Sequence, residues 1–160
     1  MSDYDSILIE RQGRVASVSF NRPDKLNSFN GTMRREFVRA AQEVNADNDI
    51  WVVVLTGEGR AFGAGADLSD TSEPMPNGGE GVEDQLNAEY KPGVLAIHHA
   101  RKPWIAAVNG PCAGISYSYA MACDLMVMAK SSYLFQPFVG IGLVPDGGAT
   151  WLLPNFVGAK

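Results

Sequence analysis

Three aspartates of this 160-residue chain stand next to small or apolar residues, where a carboxylate could carry acid–base chemistry. They are Asp67, Asp124 and Asp146, the last lying between Pro145 and Gly147. Burial raises the pKa of such a carboxyl group towards neutrality, which suits proton transfer. We expect Asp124, at the end of a predicted helix, to hydrogen-bond the backbone. For Asp146, two interpretations stay open: a proton-transfer base, or the N-cap of a following helix.

Three glycine-rich turns could expose backbone N–H groups where helices begin: Phe62 to Ala66, Gly110 to Ile115, and Gly147-Gly148. Such free N–H groups bind phosphates or stabilise a developing oxyanion. The chain contains neither a Gly-Lys-Ser/Thr motif nor a complete Gly-x-Gly-x-x-Gly motif, which disfavours a nucleotide-binding loop. Oxyanion stabilisation and simple close packing therefore both stay open.

Other reactive side chains give weaker signals. His98 and His99 follow a predicted helix and are expected to be surface groups at its C-terminal end. Ser116 lies in a segment that half resembles a nucleophile elbow but lacks its final glycine, so a serine hydrolase is disfavoured. Cys112 and Cys123 lie in apolar surroundings and are expected to be reduced, buried thiols, with no metal site.

These residues must be positioned by secondary-structure elements, and hydrophobic periodicity predicts an α/β arrangement. A hairpin is predicted over Ile7 to Phe20, with a turn at Gln12-Gly13. An amphipathic helix follows over about residues 32–46, with Arg34, Arg35, Glu36 and Glu43 on its polar side. A helical face also runs from Leu86 to Ile97, restarting at Pro92.

Buried strands are predicted at Trp51 to Leu55, Trp104 to Val108 and Leu125 to Ala129. The first two run into glycine-rich turns, at the strand ends where open α/β sheets bind ligands. Leu68 to Val82 is predicted to be an exposed loop over such a site.

Composition and charge exclude several classes of protein. Hydrophobic residues make up 46% of the chain, which excludes a disordered protein, and a net charge of −5 argues against broad nucleic-acid binding. The uncharged stretch Pro103 to Cys123 is long enough for a membrane helix, but Asn109-Gly110-Pro111 predicts a turn within it. We therefore expect a strand, a turn and a buried helix there. The acidic start lacks the features of a signal peptide, so a cytoplasmic location is expected.

Four motifs, taken together, resemble those of the crotonase (enoyl-CoA hydratase/isomerase) superfamily. They are Asn21 to Ser28, Arg60 to Leu68, Pro103 to Gly114, and Gly140 to Pro154. The resemblance covers the chain in order from about Ile7 to Lys160. It implies a crotonase-type spiral of β-β-α repeats that binds an acyl-CoA thioester.

The resemblance also implies site residues. The oxyanion hole would be formed by the backbone N–H groups of Ala66 and Ile115. The CoA-binding residues that it implies are Arg22, Lys25, Leu26, Ala64, Gly65, Ala66, Asp67, Leu68 and Gly114. CoA itself is part of the substrate, so no separate cofactor is expected, and a local basic patch would suffice for its phosphates.

Departures from the family pattern narrow the reaction. The positions of the two glutamates used by hydratases hold Ser118 and Phe138, which cannot act as carboxylates. Asp146 matches the single catalytic carboxylate of family isomerases, and the segment from Leu143 to Pro154 is most similar to that of the ring-epoxide isomerases of phenylacetate breakdown.

The favoured hypothesis is therefore an acyl-CoA double-bond isomerase with Asp146 as base. A hydratase or other crotonase reaction using a different base, and an acyl-CoA-binding protein without turnover, stay as alternatives. The sequence leaves open whether the acyl group is aromatic or aliphatic, and how long it is. By length alone the chain fits one domain. The resemblance adds the expectation that a C-terminal helical part, which builds a homotrimer or hexamer and covers the acyl pocket, is missing here.

Overall fold

The computed structural model describes residues 4–71 and 76–158, which form a five-stranded mixed sheet and a two-stranded parallel sheet. The strands are β1 (Ile7–Gln12), β2 (Val15–Phe20), β3 (Val52–Gly57), β4 (Trp104–Val108), β5 (Cys112–Ala113), β6 (Leu125–Met128) and β7 (Leu134–Phe135). The main sheet has the order β1-β2-β3-β4-β6, antiparallel between β1 and β2 and parallel elsewhere. Strands β5 and β7 pair in parallel as a small second sheet.

Five α-helices complete the architecture of the described residues. They are α1 (Gly31–Ala46), α2 (Gly78–Gln85), α3 (Lys91–His98), α4 (Ile115–Ala122) and α5 (Ala149–Val157). A π-helical turn, Leu86–Tyr90, joins α2 to α3 without a break in the chain direction. Helix α3 packs against α1 and α4, and α4 in turn packs against α5. The predicted α/β class is thus confirmed.

The predicted hairpin is confirmed as strands β1 and β2. Their register runs from Ile7 opposite Phe20 to Gln12 opposite Val15. The turn lies at Gly13-Arg14, one residue later than predicted, because Gln12 still pairs with Val15. Gly13 has a φ of +61°, a conformation that glycine adopts without steric cost, and it permits this tight turn.

Helix α1 begins where an asparagine caps it. The Asn30 side-chain oxygen accepts a hydrogen bond of 3.0 Å from the Met33 N–H, satisfying one free donor of the first turn. The predicted apolar face is buried, but Arg34 and Glu36 were expected on the polar side and are also buried. They tolerate burial because both have partners: Glu36 accepts the backbone N–H groups of Asp5 and Ser6, and Arg34 pairs with Glu89.

An aromatic cluster joins the sheet to the helices. Phe20 on β2 lies 4.8 Å from Phe29 and 5.3 Å from Phe37, measured between ring centroids. Tyr119 on α4 lies 4.7 Å from Phe37 and completes the cluster. Every residue of α4 is buried, so this short helix forms the centre of the core.

The uncharged stretch from Pro103 to Cys123 folds as predicted. It contains β4, a turn, the short strand β5 and the buried helix α4. Among the residues that the structure describes, no helix has both the length and the apolar character needed to cross a membrane.

Two strand predictions need correction. The strand predicted at Trp51 to Leu55 is Val52–Gly57, and Trp51 lies outside it, 59% exposed, with the Arg14 guanidinium 4.0 Å from its ring centroid. The strand predicted at Leu125 to Ala129 is β6, which is not buried: Leu125 is 59% exposed. Strand β6 forms an edge of the sheet, since β4 is its only neighbour within the described residues.

The loop predicted over Leu68 to Val82 is shorter than expected. Helix α2 already begins at Gly78, and residues 72–75 lie outside the described residues. The helical face predicted from Leu86 to Ile97 is confirmed, as the π-helical turn followed by α3.

Candidate active site

Two of the predicted glycine-rich turns lie side by side. The N–H groups of Phe62 and Gly63 donate to the Pro111 carbonyl at 3.0 and 3.1 Å, and the Ala113 N–H returns a bond of 2.8 Å to Gly63. Gly65 and Gly114 lie in close contact: a Cβ atom at Gly114 would lie 3.3 Å from the Gly65 Cα, and both residues have positive φ. Glycine is therefore needed at this contact for both space and backbone conformation.

The N–H groups of Ala66 and Ile115 flank this glycine contact. The Phe29 N–H donates to the Gly65 carbonyl at 2.8 Å, and the Asp67 N–H donates to the Phe29 carbonyl at 3.0 Å. This parallel bridge leaves the Ala66 N–H pointing away from Phe29. Ile115 is the first residue of α4 and so lacks an acceptor within its helix. Neither N–H donates to a backbone acceptor within residues 4–71 and 76–158.

Ser116, on the first turn of α4, links the two glycine-rich turns through a hydrogen bond. Its Oγ accepts a hydrogen bond of 3.2 Å from the Gly65 N–H, and the side chain is fully buried. A Cβ atom at Gly63 would lie only 2.3 Å from the same oxygen. Ser116 is thus a buried positioning residue beside the Ala66 N–H, a role that sequence reasoning missed.

The third glycine-rich turn holds Asp146 against helix α4. The Ser118 hydroxyl donates to the Asp146 carbonyl at 3.1 Å. Gly147 has a φ of +58°, and a Cβ atom there would lie 2.5 Å from the Ile115 Cδ1. Gly148, not Asp146, is the N-cap of α5, so the N-cap interpretation of Asp146 is wrong. The carboxylate and the first residue of α4 are therefore brought together by close backbone packing.

Asp146 lines an apolar cavity of about 360 Å³. Its Oδ1 is buried and finds no hydrogen-bond partner in the part of the chain that the structure describes. Burial raises the pKa of Asp146 to about 6. The cavity lies between the turn of Asp146 and helix α3, and is lined by Leu86, Asn87, Tyr90, Lys91, Val94, Leu95, Asp146, Gly147 and Gly148.

The predicted CoA-binding residues fall into two groups. Arg22 and Asp67 contact each other: the Arg22 Nη1 lies 2.9 Å from the Asp67 Oδ2 and also donates to the Ser28 carbonyl. Burial raises the pKa of Asp67, but hydrogen bonds from Ser69 and Arg22 outweigh it and hold the pKa at about 2. This ion pair joins the segment after β2 to the turn that carries Ala66.

The other group is accessible. Lys25 and Leu68 are exposed, Leu68 to 78%. Leu26 and Ala64 line a second cavity of about 460 Å³, together with Arg60, Asn109 and neighbouring residues. The predicted CoA-binding residues thus lie around the same two turns, with one cavity beside them.

Asn27 is a second residue that sequence reasoning missed. Its side chain accepts the Arg22 N–H at 2.8 Å and donates to the carbonyls of Glu58 and Ala61 at 2.9 and 2.8 Å. Asn27 has a φ of +55°, which asparagine tolerates better than most residues. That tolerance, in a segment between a strand and a helix, is the sequence signal that could have found it.

The remaining candidates lie where the sequence placed them. The Asp124 Oδ2 accepts the Trp104 N–H at 2.8 Å, so its predicted backbone role is confirmed. His98 and His99 are exposed at the end of α3, and His98 lies 5.6 Å from the Trp151 ring. Both cysteines are buried free thiols.

Two adjoining turns carry backbone N–H donors, and the turn of the buried Asp146 packs against Ile115. Backbone donors and a carboxylate are the groups that can stabilise an enolate and move a proton. The chain belongs to the enoyl-CoA hydratase/isomerase family, whose model matches residues 10–160. The resemblance to the crotonase superfamily is thereby confirmed.

Named relatives span two reactions. The chain is 39% identical, over 97% of its length, to a probable enoyl-CoA hydratase of Rhodobacter capsulatus. It is 38% identical, over 95% of its length, to 1,2-epoxyphenylacetyl-CoA isomerase of Escherichia coli. In each case it spans 58% of the relative's length. A crystal structure of an enoyl-CoA hydratase from Bacillus anthracis matches 98% of the chain with a TM-score of 0.89 and 27% identity, and the match covers 60% of that structure's chain.

Proposed function

We propose that this chain carries the catalytic core of an acyl-CoA double-bond isomerase with Asp146 as its base. The observation that carries the proposal is the Asp146 carboxyl group. Asp146 lines an apolar cavity, its Oδ1 has no partner among the described residues, and burial raises its pKa to about 6. A carboxylate with this pKa is largely ionised at pH 7 and is a stronger base than an ordinary carboxylate.

The proposed reaction is a proton shift along the acyl chain. The Asp146 carboxylate removes a proton from the α carbon of a 3-enoyl-CoA, and the electrons move onto the thioester oxygen. The N–H groups of Ala66 and Ile115 stabilise the resulting enolate oxygen. Asp146 then returns the same proton to the γ carbon, so that the double bond conjugates with the thioester and no water is added.

CoA binding is part of the same proposal. The cavity lined by Leu26 and Ala64 lies beside the turn that carries the Ala66 N–H, and Arg60 lines it. Arg60 and the exposed Lys25 provide a local positive charge for the CoA phosphates on a chain of net charge −5. A trimer or hexamer of the whole protein, in the cytoplasm, belongs to this proposal too.

The test supplies a 3-enoyl-CoA to the native chain and to Asp146→Asn. Conjugation of the double bond is followed by ultraviolet absorbance. We expect Asp146→Asn to lose about 10²–10⁴ in rate, because amide cannot accept the proton. Asp84→Asn, which neutralises an exposed carboxylate on α2, is the matched control and should keep the native rate. Equal rates for the native chain and Asp146→Asn would reject the proposal.

Hydration is the second candidate, because the Rhodobacter relative is named a probable enoyl-CoA hydratase. Against it, Ser118 and the buried Phe138 stand at the positions of the hydratase glutamates, and Ser118 is used to hold the Asp146 turn. Formation of a 3-hydroxyacyl-CoA from a 2-enoyl-CoA, at a rate near that of isomerisation, would favour hydration. Tight acyl-CoA binding without any turnover would favour a binding protein.

A further inference from the structure

A second buried polar side chain, Tyr90, lines the cavity of Asp146. Tyr90 ends the π-helical turn before α3 and is only 4% exposed. The other polar side chains of the cavity, Asn87 and Lys91, belong to exposed residues and interact with each other, with 3.4 Å between the Lys91 Nζ and the Asn87 Oδ1. Tyr90 thus provides a hydroxyl group within an otherwise mostly apolar wall.

Arg34 packs against the Tyr90 ring. Its guanidinium carbon lies 5.4 Å from the Tyr90 ring centroid, and Glu89 holds it there by an ion pair. Burial raises the pKa of Tyr90, and the Arg34 guanidinium opposes that rise through its charge and a hydrogen bond. A guanidinium has only donors, so Arg34 can bond the phenol oxygen but cannot take up the phenol proton, which remains available as a donor.

The Tyr90 O–H group finds no protein acceptor within the described ranges of the chain. The neighbouring Tyr119 differs, because its hydroxyl donates to the Tyr90 carbonyl at 3.5 Å. A ligand that enters the cavity displaces the water that would accept a hydrogen bond from this donor. If the ligand has no acceptor of its own, the donor stays unpaired and binding costs free energy. A purely hydrocarbon acyl group would impose that cost in this cavity.

We infer that Tyr90 is a specificity-determining residue, which selects acyl groups that carry an acceptor oxygen beyond the thioester. The inference rests on the proposed function, since it takes the cavity of Asp146 to be the acyl site. An ether, epoxide or carbonyl oxygen would accept the Tyr90 proton, whereas a plain enoyl chain would leave it unpaired. Sites built to bond a substrate oxygen discriminate strongly against analogues that lack it. Arg34 acts through Tyr90 and is a positioning residue.

The experiment measures binding of matched saturated thioesters by calorimetry. Hexanoyl-CoA is compared with analogues in which an ether oxygen replaces one methylene group at successive positions. The preference is the dissociation constant of hexanoyl-CoA divided by that of the ether analogue. For one position of the ether oxygen, we expect this preference to be at least about tenfold lower in Tyr90→Phe than in the native protein. Because each preference is a ratio of two dissociation constants measured on the same protein, a change in the folded fraction cancels. Tyr119→Phe, which removes a buried hydroxyl that does not line the cavity, should keep the native ratio.

The two proposals fail in different ways. If Tyr90→Phe leaves the ratio unchanged at every oxygen position, the inference on Tyr90 is wrong, whatever Asp146→Asn does to turnover. If Asp146→Asn still conjugates a 3-enoyl-CoA at the native rate, the isomerase proposal is wrong, whatever the binding ratio. An equal loss of the ratio in Tyr119→Phe would assign the effect to packing of the aromatic cluster and would also overturn the inference.

Discussion

The burial of Asp146 couples the stability of the protein to pH. In the folded state its pKa is about 6, above the ordinary value of 3.8, because burial disfavours the charged carboxylate. Between these two values the folded state binds more protons than the unfolded state. The free energy of unfolding therefore falls as the pH rises through this window, and the loss is complete above about pH 6.

We accordingly predict that Asp146→Asn stabilises the protein at pH 7 by roughly 1–3 kcal/mol, since it removes a buried charge. At a pH well below 4 the native carboxyl group is protonated, so the two proteins should differ little there. Urea unfolding at both pH values measures the difference. A loss of stability at pH 7 would show that the carboxylate has a favourable partner in solution.

Other single residues act through the backbone rather than through substrate. Ser116 and Asn27 each bond backbone groups of the segment that carries Ala66 or of the segments beside it. Their types alone did not mark them, because serine and asparagine are common on surfaces and in turns. Only the fold shows that both are buried and that their partners lie far along the chain.

Among the elements, the turn between the short 3₁₀ helix Phe138–Ile141 and helix α5 decides where the carboxylate lies relative to α4. Its Gly147 needs a positive φ and also leaves no room for a Cβ atom, which would meet the Ile115 Cδ1 and the Ser118 Cβ at 2.5 and 2.6 Å. Gly142 also has a positive φ, of +72°, but nothing lies within 4 Å of its Cβ position. A substitution at Gly142 therefore causes backbone strain alone, whereas a substitution at Gly147 causes both backbone strain and crowding.

We predict that Gly147→Ala destabilises the protein more than Gly142→Ala does. Backbone strain costs each variant about 1–2 kcal/mol, and crowding adds about 1–3 kcal/mol for Gly147→Ala alone. Gly147→Ala should also reduce isomerisation, because it moves Asp146 away from the first residue of α4. Thermal unfolding of both variants gives the comparison, and equal losses would show that α4 yields to the added methyl group.

Hydrophobic periodicity predicted those elements well that pack one face against the core and leave the other face in solvent. The hairpin, α1 and α3 follow this rule at most positions. The exceptions are Val15 and Leu95, which are exposed, and Arg34 and Glu36, which are buried with partners. Strand β6 does not follow it, because a run of apolar residues indicates only that a segment could be buried. Whether it is buried depends on what covers it, and in the described residues Leu125 and Val127 are 59% and 64% exposed.

Across the described molecule, ten of the exposed large apolar residues lie in one region of the chain, residues 125–144, which contains β6 and β7. They are Leu125, Val127, Met128, Tyr133, Leu134, Phe135, Val139, Ile141, Leu143 and Val144. Exposed apolar patches and free strand edges favour association between molecules. The chain spans 58% of the length of the curated relatives compared above, and in this isolated chain the region faces solvent.

We predict that the 160-residue chain associates in a concentration-dependent way and that Val127→Lys weakens this association, because a charge on an edge strand opposes pairing. Sedimentation velocity over a range of concentrations measures the effect. Val82→Lys, on α2 and 44% exposed, introduces the same charge away from the region and is the control. A monomer at every concentration would contradict the prediction.

The sequence by itself determined the α/β class, most element positions and the three glycine-rich turns. These follow from local rules: periodicity sets which face is apolar, and glycine marks where the backbone must turn or approach closely. The choice of Asp146 among three candidate aspartates came from the family resemblance. The tertiary structure alone decided that Arg22 pairs with Asp67, that Ser116 bonds the Gly65 N–H, and that Tyr90 shares a cavity with Asp146. Each of these joins residues far apart along the chain, and burial and partners depend on that packing rather than on residue type.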